Sequence, residues 1–344
     1  MGKKKFFILF FVLVLIGVLG YFFWPRKVVS PFAEVKFTEK SLEKYDFDNL
    51  AVRTLDPSNS KIVGAGFMPA QIEILGPIKA VEDRRKEKYN FETREIRFKS
   101  DNKYISGMIN YFNDNKKHGI IIMIRGYSPK ENYYVGSGTW KVADELARQL
   151  PGFATISIDF LGYGNSDSDS ADVLEARFHK VVEVLDLIES VKQLSWVDKN
   201  KIGIWAHSNG GQIALSVLEI TGEQYPTILW APMTNPFPQS LIDTADEGEE
   251  RQKATDFVNL FLKYYDGRRY AFENYYEWIQ APILIQQGTA DSQVKVEWQQ
   301  DVVSKLKLLN KNVELVIYDG ADHNMKGGWD EAVERDVNWY TFNI

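Results

Sequence analysis

Three side chains in this chain are of the types that act together on an acyl group: Ser208, Asp291 and His323. A serine hydroxyl is a weak nucleophile until a neighbouring base takes its proton. The base in turn needs a third group to orient it and to stabilise its charged form. Ser208 stands in KIGIWAHSNGGQIAL, between a short apolar run and a helical pattern. Ala206 lies two residues before it and Gly210 two after, and a strained strand-to-helix turn that exposes a serine hydroxyl needs small residues at those places. The helix opening near Asn209 points backbone N–H groups at the site, which favours developing negative charge.

Only four histidines are available as the base. His118 precedes the first buried apolar run and falls at the wrong rim. His179 sits one position from Phe178 on a helical pattern and reads as a surface or boundary residue. His207 adjoins the serine, so backbone direction turns its side chain away, and its expected role is packing beneath the turn. His323, in YDGADHNM, follows the last apolar run and reaches the rim of Ser208. Asp291, in QQGTADSQV, follows the preceding run. Asp319 and Asp322 are nearer to His323 in sequence, but an immediate neighbour such as Asp322 cannot easily reach the inner ring nitrogen. The oxyanion is expected to be held by the N–H of Asn209 and by one from the loop IMIRGYSPKENYYVG, where Gly126 permits a tight turn and Tyr127 supplies the donor.

Placing these loops on one rim requires a parallel sheet. Six continuous apolar runs, 119–124, 154–160, 201–206, 227–232, 282–287 and 313–318, are bounded by turn signals, as strands buried on both faces are. Helical patterns separate them: Leu174, Phe178, Val181, Leu185 and Ile188, then Trp298, Val302, Leu306 and Leu309 with Asn310 as a stop. The fold expected is α/β, a mostly parallel central sheet with helices on both faces and strand C-termini on one rim. FETREIRFKS and KYISGMINYF alternate apolar and polar residues around Asp101-Asn102 and predict an antiparallel hairpin. Residues 235–280 are longer than one crossover needs. They hold DFVNLFLKYY and seven aromatics from Tyr264 to Trp278, and read as a small helical cap over the rim.

Composition narrows the class. The chain has 344 residues and no cysteine, which excludes disulfides, thiolate metal sites and a lipoprotein anchor. Phe6 to Trp24 is an uncharged apolar run between Lys3-Lys4-Lys5 and Arg26-Lys27, long enough to cross a hydrocarbon core and ending in bulky aromatics. It reads as a transmembrane signal anchor with the N-terminus cytoplasmic and the body outside, with a cleaved signal peptide as the alternative. Residues 1–27 are thus a basic end and anchor, 28–90 an N-terminal extension of unassigned role, and 91–344 the catalytic domain. Net charge is −6 although residues 1–27 are purely basic, so the body is acidic and unsuited to nucleic acid. No metal or organic cofactor is implied, and nothing in the sequence sets an oligomeric state.

The order RGY, DFLGYGNSD, AHSNGG, GTAD, GADH resembles the α/β-hydrolase superfamily. GTADSQV and YDGADHNM are similar to the catalytic domain of the prolyl oligopeptidase family, and also to dienelactone-hydrolase-like esterases. The resemblance covers about residues 91–344 and implies a serine hydrolase that cleaves peptide or aminoacyl amides, or small acyl esters, through an acyl-enzyme. Arg125 stands where many relatives carry histidine. Since the oxyanion hole uses backbone groups, the replacement is expected to alter the pocket rather than catalysis. The size-selecting propeller of prolyl oligopeptidases has no counterpart, so its gating does not carry over. The acidic run Asp243, Asp246, Glu247, Glu249 and Glu250 offers a grip for a peptide's free amine or a solvated charged face. A catalytically inactive hydrolase fold that binds a partner is the rival from another class, against which the intact Ser, His and Asp argue.

Overall fold

The apolar runs of the sequence become six parallel strands: β4 (His118–Ile124), β5 (Phe153–Ile158), β6 (Val197–His207), β7 (Thr227–Trp230), β8 (Ile283–Gly288) and β9 (Val313–Tyr318). Three antiparallel strands precede them, β1 (Glu73–Pro77), β2 (Glu92–Ser100) and β3 (Lys103–Tyr111), and the sheet order is β1-β2-β3-β5-β4-β6-β7-β8-β9. This computed structural model describes residues 41–55, 71–85 and 88–344. The proposed anchor at 6–24 lies outside the described residues, and among the described helices none is long and apolar enough to cross a membrane.

Every residue of β4, β5, β7 and β8 is buried, which is why those runs show no alternation. Ile120, Ile121, Ile122, Met123 and Ile124 are each 0% exposed. Each such side chain contributes roughly 1.5–3 kcal/mol over an exposed one. The predicted hairpin forms with Ser100 opposite Lys103. Asp101 and Asn102 take φ of 44° and 65°, the left-handed pair that a two-residue connection between twisted strands needs.

Helices α2 (Trp140–Gln149), α3 (Val173–Val191), α4 (Asn209–Thr221), α7 (Val296–Leu308) and α8 (Trp329–Asn343) cross between strands or close the chain, and α1 (Phe47–Leu55) precedes them. α2 packs against α8, and α3 against α4. Right-handed crossovers put the two pairs on opposite faces of the sheet. The cap between β7 and β8 comprises α5 (Gln239–Asp243), α6 (Glu249–Tyr264) and three single 3₁₀ turns. Most of its rings fasten it down. Phe237 meets Phe178 of α3 edge-to-face at 5.1 Å, Phe261 and Tyr270 meet it tilted at 6.4 and 5.0 Å, and those three rings stand edge-to-face with one another. Trp278 stays half exposed.

Parts of the N-terminal extension pack on this body. Phe47 stacks on Tyr275 of the cap at 3.7 Å. Arg53 Nη2 donates to both carboxylate oxygens of Asp186 at 3.0 Å, and Ser100 Oγ donates to the same carboxylate at 2.6 Å. Arg85 grips Asp144 of α2 through two bonds of 2.7 Å, with both side chains buried. Such a two-pronged contact fixes direction as well as distance.

Candidate active site

Ser208 caps α4 at the C-terminal end of β6, with φ 52° and ψ −122°. A side chain in that region is strained, and the surroundings must hold it there. They do so through the backbone. Ser208 N–H donates to the Trp230 carbonyl at 3.0 Å, while its own carbonyl accepts from Gly211 and Met233 at 2.9 and 2.8 Å. Two glycines make the turn fit. A Cβ on Gly210 would lie 2.5 Å from the Ile124 carbonyl oxygen, and one on Gly126 would lie 2.7 Å from the Ser208 Cβ. The Gly126 loop therefore abuts Ser208. The Ser208 hydroxyl makes no hydrogen bond among the described residues, to His323 or to any other group.

His323 and Asp291 meet as their positions after β9 and β8 require. His323 Nδ1 lies 2.8 Å from Asp291 Oδ2, and the Asp291 side chain is fully buried. Asp291 also accepts from the N–H groups of Gln293 and Val294 at 2.7 and 2.9 Å and from Gln287 Nε2 at 3.0 Å. Burial works against its charge, but His323 and these donors outweigh it and hold the carboxyl down to about 2. The nearer aspartates are engaged elsewhere. Asp322 accepts from the N–H groups of Asn324 and Lys326, and Asp319 accepts from Thr289.

His207 packs beneath the turn as expected, and it does more than fill space. Its Nε2 lies 2.9 Å from the His323 carbonyl, so that nitrogen carries the proton and donates. The residue beside Ser208 thereby holds the loop that carries His323. Burial, then the neighbouring His323, bring its pKa down to about 4, so the ring stays neutral. It borders a cavity of about 590 Å³ walled by Trp140, Trp205, Trp230 and Trp329, which none of Ser208, Asp291 and His323 lines.

The other two histidines stand apart. His118 bonds Asp114 at 2.8 Å at the start of β4, on the opposite rim. His179 is not a surface or boundary residue, as the sequence suggested, but 6% exposed and paired with Glu183 at 3.0 Å and Asp101 at 3.4 Å. Burial alone would lower its pKa, yet the two carboxylates raise it to about 9.

Neither expected oxyanion donor is spent. Asn209 is the first residue of α4, where a backbone N–H has no intrahelical acceptor. The Tyr127 N–H donates to no acceptor among the described residues, and its side chain is 78% exposed. Arg125 corrects the expectation placed on it. It is 4% exposed, and instead of reshaping the pocket it spends its donors on backbone carbonyls. Nη1 donates to Gly126 O at 2.7 Å, while Nε and Nη2 donate to Asp159 O at 3.0 and 2.6 Å. The Tyr163 ring covers the guanidinium at 3.8 Å. Sequence could not supply this role, since the acceptors are main-chain atoms brought together by β4 and β5.

The acidic run of the cap is a solvated face in the main. Lys253 pairs with Glu249 at 2.8 Å and with Glu250 at 2.9 Å, and Asp243 accepts from Asn235 and Gln239.

Comparison with known proteins agrees with this architecture. An uncharacterized 31.7 kDa protein of Escherichia coli, from the traX-finO intergenic region, is 28% identical over 97 residues, which is 28% of this chain and 31% of that protein. The chain thus spans about a third of the length of the curated relative it matches. Dipeptidyl peptidase 4 of Porphyromonas gingivalis superposes with a TM-score of 0.58 at 17% identity, covering 76% of this chain and 37% of that one. Acetyl xylan esterase 1 of Thermoanaerobacterium sp. gives 0.60 at 17% identity, covering 88% of this chain and 100% of the esterase. At such identities the likeness is one of fold. The sequence model of the prolyl oligopeptidase family matches residues 148–342, more than half of the chain and including Ser208, Asp291 and His323. With an α/β-hydrolase sheet and a strained serine at the strand-to-helix turn, the chain belongs to the prolyl oligopeptidase family of serine hydrolases.

Proposed function

We propose that this chain is a membrane-anchored serine hydrolase that cleaves peptide or aminoacyl amide bonds outside the cytoplasmic membrane, with Ser208, His323 and Asp291 as its triad. Ser208 Oγ attacks the acyl carbon as His323 takes its proton, and Asp291 keeps the ring oriented and its charge compensated. The oxyanion that forms is held by the N–H groups of Tyr127 and Asn209. His323 then returns the proton to the leaving amine, the C–N bond breaks, and an ester of Ser208 remains. Water, deprotonated by His323, attacks that ester, and the carboxylate product leaves with Ser208 restored.

The contact of His323 with Asp291 carries this reading, on a loop tied to His207, the residue beside Ser208. The apolar run 6–24 and its basic flank supply the anchor and its orientation. A second reading, hydrolysis of small acyl esters, is favoured by one observation. The acidic residues best placed to grip a free amine are engaged by Lys253, Asn235 and Gln239.

The deciding experiment compares kcat/KM of the full chain in detergent on short acyl esters with that on aminoacyl and peptidyl amides, with Ser208→Ala as control. Amide cleavage that vanishes in the variant supports the peptidase. Turnover of esters alone supports the second reading. Activity that survives Ser208→Ala sinks both.

A further inference from the structure

Between α3, α4 and the cap lies a guanidinium with no counter-charge among the described residues. Arg177 Nη2 donates to Gln212 Oε1 at 2.6 Å and to Ser240 Oγ at 2.9 Å, both neutral acceptors. Its guanidinium stands 5.9 Å from the Phe237 ring. Among the described residues no carboxylate pairs with it. Asp243, one turn along α5 from Ser240, is taken by Asn235 and Gln239. Holding a cation in a crowded place without an ion pair is costly. The site also adjoins the reaction centre. Gln212 Nε2 donates to the Asn209 side chain, and Asn209 follows Ser208 directly. Arg177 is partly exposed, so solvent reaches it.

The nearby acids are engaged by other groups. Lys180, one turn along α3, lies 4.0 Å from Asp169 and donates to the Ala176 carbonyl at 2.8 Å. Glu183 is taken by the Leu161 N–H and by His179. Arg177 thus stands without a carboxylate partner among the described residues.

We propose that Arg177 binds an anionic group of the substrate, a carboxylate a few bonds from the scissile acyl carbon, and so makes the enzyme selective for acidic acyl or peptidyl substrates. The Nη1 donors, which make no hydrogen bond among the described residues, reach the carboxylate, while Gln212 and Ser240 hold the guanidinium through Nη2. This deepens the serine-hydrolase reading and rests on it.

The test uses two esters of equal acyl length, 4-nitrophenyl butyrate and 4-nitrophenyl hemisuccinate, with the full chain in detergent. The ratio of kcat/KM for hemisuccinate over butyrate is expected to exceed one. In Arg177→Gln it should fall roughly 10- to 100-fold, mostly through KM, as loss of a charge-assisted contact implies. Arg177→Lys should fall between the two. Succinate should inhibit the native chain far better than succinamide, a readout that needs no variant to fold. An unchanged ratio in Arg177→Gln, or equal inhibition by the two, overturns the proposal. Binding of monoethyl succinate to Ser208→Ala, followed calorimetrically, separates the two claims. Arg177-dependent binding to Ser208→Ala, alongside a native chain that turns over neither ester, means that the anion site stands and the triad reading fails.

Discussion

Arg125 Nη1 donates to the carbonyl of Gly126 at 2.7 Å, and the N–H of that same peptide unit belongs to Tyr127. The arginine therefore fixes the plane of the peptide that offers an oxyanion donor, and it polarises that N–H in the direction catalysis needs. Its other donors anchor it to Asp159, at the end of β5. Where a histidine would offer two nitrogens, Arg125 spans two strands' worth of main chain.

Arg125→Met should lower kcat roughly 10- to 100-fold with little change in KM, since the lost alignment matters only once the oxyanion forms. Arg125→Lys, which keeps the charge but loses the planar fork, should recover part of the loss. Steady-state kinetics on one ester, with melting temperature as a check on folding, decide this. A rise in KM at unchanged kcat would place Arg125 in the pocket instead.

Asp291→Asn should leave the fold intact and cut kcat by about 10⁴, the size expected when the base loses the partner that orients it. The equivalent change at Asp322 should cost far less, because that side chain caps its own loop. Equal losses at the two positions would mean that the pairing at 2.8 Å is not the one used.

His207 governs the acid side of the stability profile. Its folded pKa, about 4, lies below the usual 6.5, so the unfolded chain binds the proton more readily. Its contribution is whole above pH ~6.5 and is lost as the pH falls towards ~4. His207→Gln keeps a donor for the His323 carbonyl but cannot titrate, and its melting temperature should fall less over that window. Parallel curves for the two proteins would contradict this role for His207.

His179 acts on the alkaline side. Its pKa is raised to about 9 by Asp101 and Glu183, so its contribution is complete below pH ~6.5 and disappears as the pH rises through ~9. Each tenfold gain in proton affinity is worth ~1.4 kcal/mol, so the span is on the order of 3 kcal/mol for a ring this well buried. His179→Gln should flatten the fall in melting temperature between those two values. A native curve with no such fall would remove the basis for the pairing.

The candidate site residues were legible because each follows an apolar run, although the run before His323, β9, is a half-exposed edge strand and not buried on both faces as the sequence suggested. Ser208 ends β6, Asp291 follows β8 and His323 follows β9. The hairpin was legible through Asp101 and Asn102, whose type tolerates the positive φ they adopt. β1 was not. EILGP has one half-buried residue, pairs irregularly with β2 and joins the sheet only as an edge. His179 was misread because Glu183, four residues on, was visible in the sequence while Asp101 arrives only with the hairpin. The work of Arg125 and Arg177 escaped for a similar reason. One binds main-chain carbonyls, and the other matters for the acid that is missing beside it.

Every step of the proposed reaction depends on Ser208 being an activated nucleophile. Labelling of the full chain with a fluorophosphonate probe, followed by mass spectrometry of the labelled peptide, tests this without assuming a substrate. One adduct is predicted, on Ser208, absent in Ser208→Ala and formed far more slowly in His323→Ala. A folded chain that fails to label, or that labels at the same rate without His323, would contradict the triad.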